Sequence, residues 1–267
     1  TLKPVESYVW SGVVGASEDE YGKVVITRTY APEDRITLEP GDTLVVDFGQ
    51  NAAAVPSFTF KADEGTVLTC LPAEVLNDGN GARSRGMDGP EGSVHRKNLR
   101  AHKTGMRVDY IFGPQKGFVS YCPTRTFFGY RYLSITVTDR TIIKSIGSVP
   151  VSSLTSAHQT GWLTTGNDDV NRLISNTLWS QRSNYLSVPT DCPQRNERLG
   201  WTADTQVFAE TGSFFANTAA FLRKWMRDMR DCQTASGAFP VFAPEGQYDN
   251  ERMHFGWADA GVIVPWT

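Results

Sequence analysis

The spacing of apolar residues changes near residue 160, and this change constrains the fold of the chain more than any other feature. Before it, short runs rich in β-branched and aromatic residues, such as residues 43–48, 58–62 and 130–137, are separated by turns that contain glycine or proline. Residues 77–92, rich in Gly, Asn, Asp and Arg, are predicted to form a long loop between strands. Many short strands at such spacing are typical of a β-sandwich. After it, apolar residues recur at helical intervals. Because strands come first and helices follow, we predict a β-sandwich domain over residues 1–160 and a helical domain over residues 161–267.

Three helices are predicted in the helical domain. The first follows Asn167-Asp-Asp, a sequence that favours an N-terminal helix cap, and its apolar stripe runs from Val170 to Gln181. The third begins near Trp257. The second has an apolar stripe formed by Phe221, Leu222, Trp225, Met226, Met229 and Cys232. Since three helices with one apolar face each do not enclose a helical core, we expect the chain to be part of a longer polypeptide.

Length and composition limit the functional classes. The chain has 267 residues, 40% of them hydrophobic and 11% aromatic, as expected of a globular protein. Its net charge of -3 gives no electrostatic reason to expect nucleic acid or an anionic membrane as a partner. The chain shows no signal peptide and no apolar run near the ~20 residues of a membrane span, and we leave the compartment open between cytoplasm and periplasm. Its four cysteines lack C-x-x-C spacing and its four histidines are scattered, so no metal site is predicted.

The densest group of charged residues lies between residues 191 and 204, where three carboxylates, two arginines and a tryptophan occur within fourteen residues. Charges among apolar residues are costly to bury unless they form pairs or take part in chemistry. If the chain is helical from Glu197 onward, the side chains of Glu197, Trp201 and Asp204 lie on one helix face. A carboxyl group beside an indole and a second carboxylate has a raised pKa, as the general acid of a sugar hydrolase requires.

The sequence of residues 187–204, SVPTDCPQRNERLGWTAD, resembles the signature of bacterial α-L-rhamnosidases of glycoside hydrolase family 78. Shorter similarities lie at residues 47–51, 73–76, 128–132, 219–228 and 256–260. The resemblance implies an N-terminal β-sandwich followed by the first part of an (α/α)6 barrel, and inverting hydrolysis of terminal α-L-rhamnosides. Rhamnose-containing glycosides or polysaccharides are then the expected partners. Acid–base hydrolysis needs no cofactor, and none is predicted; homo-oligomer formation is left open.

The resemblance also implies roles for individual residues. Glu197 occupies the position of the general acid, which protonates the leaving oxygen. The positions that contact or surround the sugar are Asp191, Arg195, Trp201, Asp204 and Trp257. In the family the general base is a Glu in a later barrel helix, beyond residue 267, so the chain alone is expected to be inactive. Within the chain the late acids that could replace it are Glu245, Asp249, Glu251 and Asp259, of which Asp259 is the best placed.

Two alternatives and two departures from the family pattern remain. The chain could be a non-catalytic carbohydrate-binding fragment, or an (α/α)6 glycosidase with a different sugar specificity. Asn196 stands where the family pattern has Asp, which removes a negative charge beside the acid, and we expect this either to lower the pKa of the acid or to alter a hydrogen bond. Ala203 stands where the pattern has Gly, and we expect it to tighten a turn that glycine forms easily.

Overall fold

The computed structural model describes residues 1–245 and 254–267, and for residues 101–104 the backbone alone. The chain divides into two compact units. The first comprises Thr1–Pro150 with Gln194–Asn196, and the second comprises Val151–Pro193 with Glu197–Thr267. Strands dominate the first unit and helices the second, which confirms the predicted order.

The strand-rich unit contains a nine-stranded antiparallel sheet and a short two-stranded one. Its strands are β1 (Glu6–Val14), β2 (Lys23–Tyr30), β3 (Ile36–Leu38), β4 (Thr43–Lys61), β5 (Val67–Ala73), β6 (Val75–Leu76), β7 (Val94–His95), β8 (Val108–Ile111), β9 (Val119–Tyr121), β10 (Phe128–Val137) and β11 (Thr141–Pro150). The large sheet runs in the order β2-β1-β4-β10-β5-β8, with β11 and β9 on the far half of β4 and β3 beside β11. Strands β1, β2 and β11 were not predicted from the sequence.

Strand β4 organises this unit. Residues 43–48 and 58–62 were expected as separate strands, but β4 is continuous over 19 residues. Its first half pairs with β1 and β10, and its second half pairs with β11 and β9. Leu44 and Val46 from the first half and Phe58 and Phe60 from the second belong to one buried apolar cluster. The two halves of the sheet therefore enclose one core, as in a sandwich.

The two halves of β4 meet at a bulge. The register against β10 shifts between Tyr130 and Tyr132, and Gly49 on β4 has a φ of 69°. Asp47 is buried beside this bulge, and its carboxylate accepts two hydrogen bonds of 2.7 Å from the guanidinium of Arg131. The Gly49 N–H donates to the same carboxylate at 2.6 Å. Both oxygens of the buried Asp47 carboxylate thus accept hydrogen bonds at the bulge.

The segment between β6 and β7 is a long loop, as predicted for residues 77–92. It contains two short 310 turns, Gly79–Gly81 and Arg83–Arg85. The buried Asn77 holds it, since its Nδ2 donates to Ser93 Oγ at 3.0 Å and its Oδ1 accepts from the Asp88 N–H at 3.1 Å.

The helical unit contains a small hairpin and four helices in its described part. These elements are α1 (Asp168–Asn184), β12 (Tyr185–Leu186), β13 (Val188–Pro189), α2 (Thr202–Phe215), α3 (Ala219–Asp231) and α4 (Ala260–Trp266). The predicted cap of α1 is confirmed, because Asn167 Oδ1 accepts from the N–H groups of Asp169 (2.9 Å) and Val170 (3.2 Å). The stripe on α3 is also confirmed: Leu222, Trp225 and Met229 are buried in a core that includes Ala260 and Val264 of α4.

The apolar stripe predicted on α1 is not buried as expected. Leu173 is 64% exposed and Val170 is 39% exposed, whereas the polar Gln181 is buried and its Nε2 donates to Gly212 O of α2 at 2.9 Å. Among the described helices, none combines the length and the apolar character needed to cross a bilayer.

Candidate active site

The segment between β13 and α2 forms a closed loop that carries Asp191 and Glu197. The Asp191 N–H donates to Leu199 O at 3.0 Å, and the Leu199 N–H donates to Asp191 Oδ1 at 2.9 Å. Arg198 has a φ of 48° and its Nη2 donates to Pro193 O at 3.1 Å. Burial lowers the pKa of the Arg198 guanidinium. Because these bonds join the two ends of the segment, we call residues 191–199 the acid loop.

The expectation that the chain is helical from Glu197 is wrong. Helix α2 begins at Thr202, and Trp201 at its N-cap has extended backbone angles, φ -61° and ψ 127°. The left-handed backbone of Arg198 is incompatible with a helix that continues through it. Glu197 and Trp201 meet all the same, since Trp201 Nε1 donates to Glu197 Oε1 at 3.2 Å.

Residues 200–202, which follow the acid loop, are hydrogen bonded to residues 241–243. The N–H and Oγ1 of Thr202 both donate to Val241 O, at 2.9 and 2.8 Å, and the Ala243 N–H donates to Gly200 O at 3.0 Å. The fully buried Trp225 donates its indole N–H to Ala243 O at 2.9 Å. A Cβ atom on Gly200 would lie 2.1 Å from Ala243 O, so only glycine permits this approach.

Asp204 lies in the first turn of α2, close to both acids of the loop. Partial burial raises its pKa, and the negative charges of Asp191 and Glu197 raise it further. The side chain is nevertheless exposed in this chain. The combination of desolvation and like charge that the sequence suggested for the acid is therefore found at Asp204.

Asp191 and Asp204 share a pocket with a volume of about 170 Å³. Its wall is formed by Ser180, Gln181, Asn184, Tyr185, Pro189, Thr190, Asp191, Asp204, Thr205 and Phe208. The polar residues at the end of α1 were not predicted to be part of the site. The signal available for them was Gln181, a polar residue at the end of the predicted apolar stripe.

The structure brings together four of the six predicted site residues: Asp191, Glu197, Trp201 and Asp204. Arg195 belongs to the segment Gln194–Asn196, which is grouped with the strand-rich unit. Trp257 lies in the turn before α4, where its ring centroid is 5.9 Å from that of His254. The roles of all six remain predictions.

The structure also locates the acidic residues near the end of the chain and the two residues that depart from the family pattern, Asn196 and Ala203. Asp249 and Glu251 lie outside the described residues, and Glu245 and Asp259 are exposed. Asn196 is exposed in the acid loop. The expectation for Ala203 is wrong, because this residue lies within α2 rather than in a turn, and alanine suits a helix.

One group of side chains has the composition of a metal site. Asp191, Cys192 and Glu197 each place one potential ligand atom within 4.8 Å of the others. Carboxylates also lie this close where they bind a sugar or transfer a proton, so their spacing alone does not distinguish these uses.

Comparison with known proteins shows which family shares these features. The family model described as the bacterial alpha-L-rhamnosidase concanavalin-like domain matches residues 37–152, and the bacterial alpha-L-rhamnosidase 6 hairpin glycosidase domain matches residues 158–267. An alpha-L-rhamnosidase of Streptomyces avermitilis is 36% identical over 97% of this chain and 24% of its own length.

Solved structures give the same result. An alpha-L-rhamnosidase from Aspergillus terreus has a TM-score of 0.71 and 30% identity, covering 86% of this chain and 25% of that one. The alpha-L-rhamnosidase of Streptomyces avermitilis in complex with L-rhamnose has a TM-score of 0.67 and 33% identity, covering 91% of this chain and 24% of that one. The chain thus spans about a quarter of the length of these relatives.

Proposed function

This chain belongs to the bacterial α-L-rhamnosidase family, and from this premise we propose that it supplies the general acid and part of the sugar pocket for inverting hydrolysis of terminal α-L-rhamnosides. The observation that carries the proposal is the cluster of Glu197, Trp201, Asp191 and Asp204 within the part of the chain that matches the glycosidase domain. The activity is that of the whole protein, of which this chain contributes the acid side of the site.

Glu197 is the general acid. Two neighbouring carboxylates, Asp191 and Asp204, repel its ionised form and so favour the protonated carboxyl that an acid must present to the leaving oxygen. The closed acid loop fixes the backbone that carries this carboxyl, and the indole N–H of Trp201 donates to the carboxyl itself. Such preorganisation is what proton transfer to a departing oxygen requires.

Asp191 and Asp204 bind the hydroxyl groups of the rhamnose. Support comes from the pocket of about 170 Å³ that both carboxylates line, since ionised carboxylates are strong acceptors for sugar O–H groups. Arg195, Trp201 and Trp257 are assigned to the sugar site through the family resemblance, and Trp201 contacts the acid through its indole N–H.

The general base is assigned to a Glu outside residues 1–267. An inverting pair needs its carboxyl groups roughly 6.5–9.5 Å apart, to leave room for a water molecule. The ligand oxygens of Asp191 and Glu197 are within 4.8 Å of each other, too close for Asp191 to be that base. The same short spacing would suit a nucleophile in a retaining enzyme, so the anomer of the product must be determined. Release of β-L-rhamnose, followed by NMR before mutarotation, supports inversion; release of α-L-rhamnose identifies Asp191 as a candidate nucleophile instead.

The decisive experiment measures p-nitrophenol release from p-nitrophenyl α-L-rhamnoside. The 267-residue chain is compared with the longest polypeptide that its gene encodes. Activity in the long form alone supports the proposal, whereas activity in the short chain places a base within it, with Asp259 the first to test. Inactivity of both on rhamnosides refutes the proposal and favours another sugar or a purely binding role.

The acid is tested by Glu197→Gln in the active form. We expect turnover to fall by about 10²–10⁴-fold, since glutamine keeps the shape but carries no transferable proton. Glu210→Gln, at an exposed position on α2, is the matched control and should leave turnover unchanged. Near-normal turnover of Glu197→Gln would exclude Glu197 as the acid.

A further inference from the structure

We infer that Trp201 is a positioning residue for the general acid: its indole N–H donates to Glu197 Oε1 and holds the carboxyl in the orientation from which it protonates the leaving oxygen. This inference rests on the proposed role of Glu197 and assigns to Trp201 a task beyond contact with the sugar.

The hydrogen bond restrains the carboxyl group of Glu197. The indole N–H is a donor only, so the atom it contacts must act as an acceptor. With Trp201 Nε1 at 3.2 Å from Oε1, this oxygen is held as an acceptor in both the neutral and the ionised carboxyl, and rotation of the group is restricted.

The indole is itself held firmly. Its ring packs edge-on against Phe242, with centroids 5.2 Å apart, and the backbones of Trp201 and Phe242 form a β-bridge. On either side, Gly200 and the buried Thr202 hydrogen bond to the same segment, residues 241–243. Because Trp201 joins this segment to the start of α2, the donor does not have to be ordered when a substrate binds.

The same bond acts against the surrounding negative charge. The carboxylates of Asp191 and Asp204 and the thiol of Cys192 lie close to Glu197. The acid loop also carries the guanidinium groups of Arg195 and Arg198, of which that of Arg198 interacts with the thiol, and residues 241–243 have apolar side chains. A donor to the carboxylate stabilises the ionised acid, whereas the two neighbouring carboxylates destabilise it. Loss of the indole N–H therefore raises the pKa of Glu197.

The test is Trp201→Phe in the longest polypeptide that the gene encodes, since phenylalanine retains an apolar ring but has no N–H. On methyl α-L-rhamnoside, whose leaving group needs protonation, we expect kcat to fall about tenfold, below the full effect of losing the acid. On 2,4-dinitrophenyl α-L-rhamnoside, whose leaving group needs little help, kcat should change little. The KM should stay within about twofold, and the basic limb of the pH profile should move up by about one unit.

Two controls make the result specific. Trp162→Phe changes a tryptophan that is 71% exposed and should alter neither kcat nor the pH profile. Glu197→Gln separates the two proposals: if it retains activity on methyl α-L-rhamnoside, the assignment of the acid fails. If it is inactive while Trp201→Phe has a raised KM and an unchanged pH profile, only the inference about Trp201 fails.

If Trp201→Phe does not fold, the same hydrogen bond is tested by replacing Trp201 with 3-benzothienylalanine. This residue has nearly the same shape as tryptophan but no N–H donor. An unchanged pH profile and an unchanged ratio of kcat on the two substrates in that protein would overturn the inference. A raised basic limb, with loss confined to the methyl rhamnoside, would support it.

Discussion

The backbone at Arg198 gives the acid loop its shape, and Gly200 connects the loop to helix α2. A left-handed conformation costs a non-glycine residue about 1–2 kcal/mol, and Arg198 adopts it with φ 48°. The bonds from Arg198 to Pro193 and from Leu199 to Asp191 offset this cost. The strain is located where Glu197 must leave the path of a helix and turn toward Trp201, a common place for strain in functional sites.

The close approach of Gly200 to Ala243 gives a prediction about stability. In Gly200→Ala the new Cβ would lie 2.1 Å from Ala243 O and 2.9 Å from Trp225 Nε1. Since both neighbours are held in the core, we expect the free energy of unfolding to fall by about 1–3 kcal/mol, measured by denaturant titration. Gly166→Ala, where a Cβ meets nothing within 4 Å, is the control. Equal stability of the two variants would show that the 241–243 segment can move away.

The raised pKa of Asp204 gives a prediction about pH. Its folded pKa is above its unfolded value, so the folded state binds this proton more tightly. Its favourable contribution is present below the unfolded pKa of about 3.9 and is lost as pH rises through the folded pKa. Asp204→Asn should therefore raise the melting temperature at about pH 7 more than at about pH 4, although it weakens sugar binding.

Glu210→Gln provides the reference for this comparison, because Glu210 is exposed on the same helix. If Asp204→Asn, measured against Glu210→Gln, raises the melting temperature no more at about pH 7 than at about pH 4, then neither burial nor the charges of Asp191 and Glu197 destabilise ionised Asp204.

Among the elements, helix α1 shows which features depend on local sequence. Its start is set by Asn167, whose side chain accepts from two backbone N–H groups that no helical carbonyl can reach. Strand β4 is the contrasting case. Residues 43–48 and 58–62 were predicted as separate strands, but the strand is continuous through a bulge beside the ion pair of Asp47 with Arg131.

The cap of α1 can be tested by Asn167→Ala. We expect a loss of about 1 kcal/mol in unfolding free energy, because the two N–H groups lose their acceptor. Asn176→Ala makes the same substitution at an exposed position inside α1, where alanine is the better helix former, and should be neutral or stabilising. A loss of equal size in both variants would contradict a capping role.

At the scale of the whole molecule, the helical unit leaves a large amount of apolar surface exposed. Leu173 on α1, Val207 on α2 and Trp266 on α4 are 64%, 80% and 92% exposed. Monomeric proteins seldom expose large apolar patches. The relatives are about four times as long as the part of them that this chain matches, and a longer polypeptide has further residues with which to cover these side chains.

This exposure predicts different surface behaviour in two forms of the protein. The 267-residue chain should bind a hydrophobic dye strongly and self-associate, whereas the longest polypeptide from the gene should bind less dye per molecule. Dye fluorescence and light scattering at matched molar concentration measure both properties. Leu173→Gln should lower dye binding by the short chain only. Equal dye binding by the two forms would show that these side chains stay exposed in both.

The sequence by itself determined the order of strands and helices, the cap of α1, the buried stripe of α3 and the family signature at residues 187–204, because these depend on residue periodicity, local hydrogen bonding and motif composition. Tertiary structure alone decided the continuity of β4, the burial of Gln181 in place of Leu173, and the contact of Trp201 with Glu197. Each of these depends on partners distant in sequence or on a strained backbone. The acid loop shows the difference most clearly. A helical face was predicted to bring Glu197 and Trp201 together. Instead, the left-handed backbone at Arg198 and the hydrogen bonds to the segment of residues 241–243 do so.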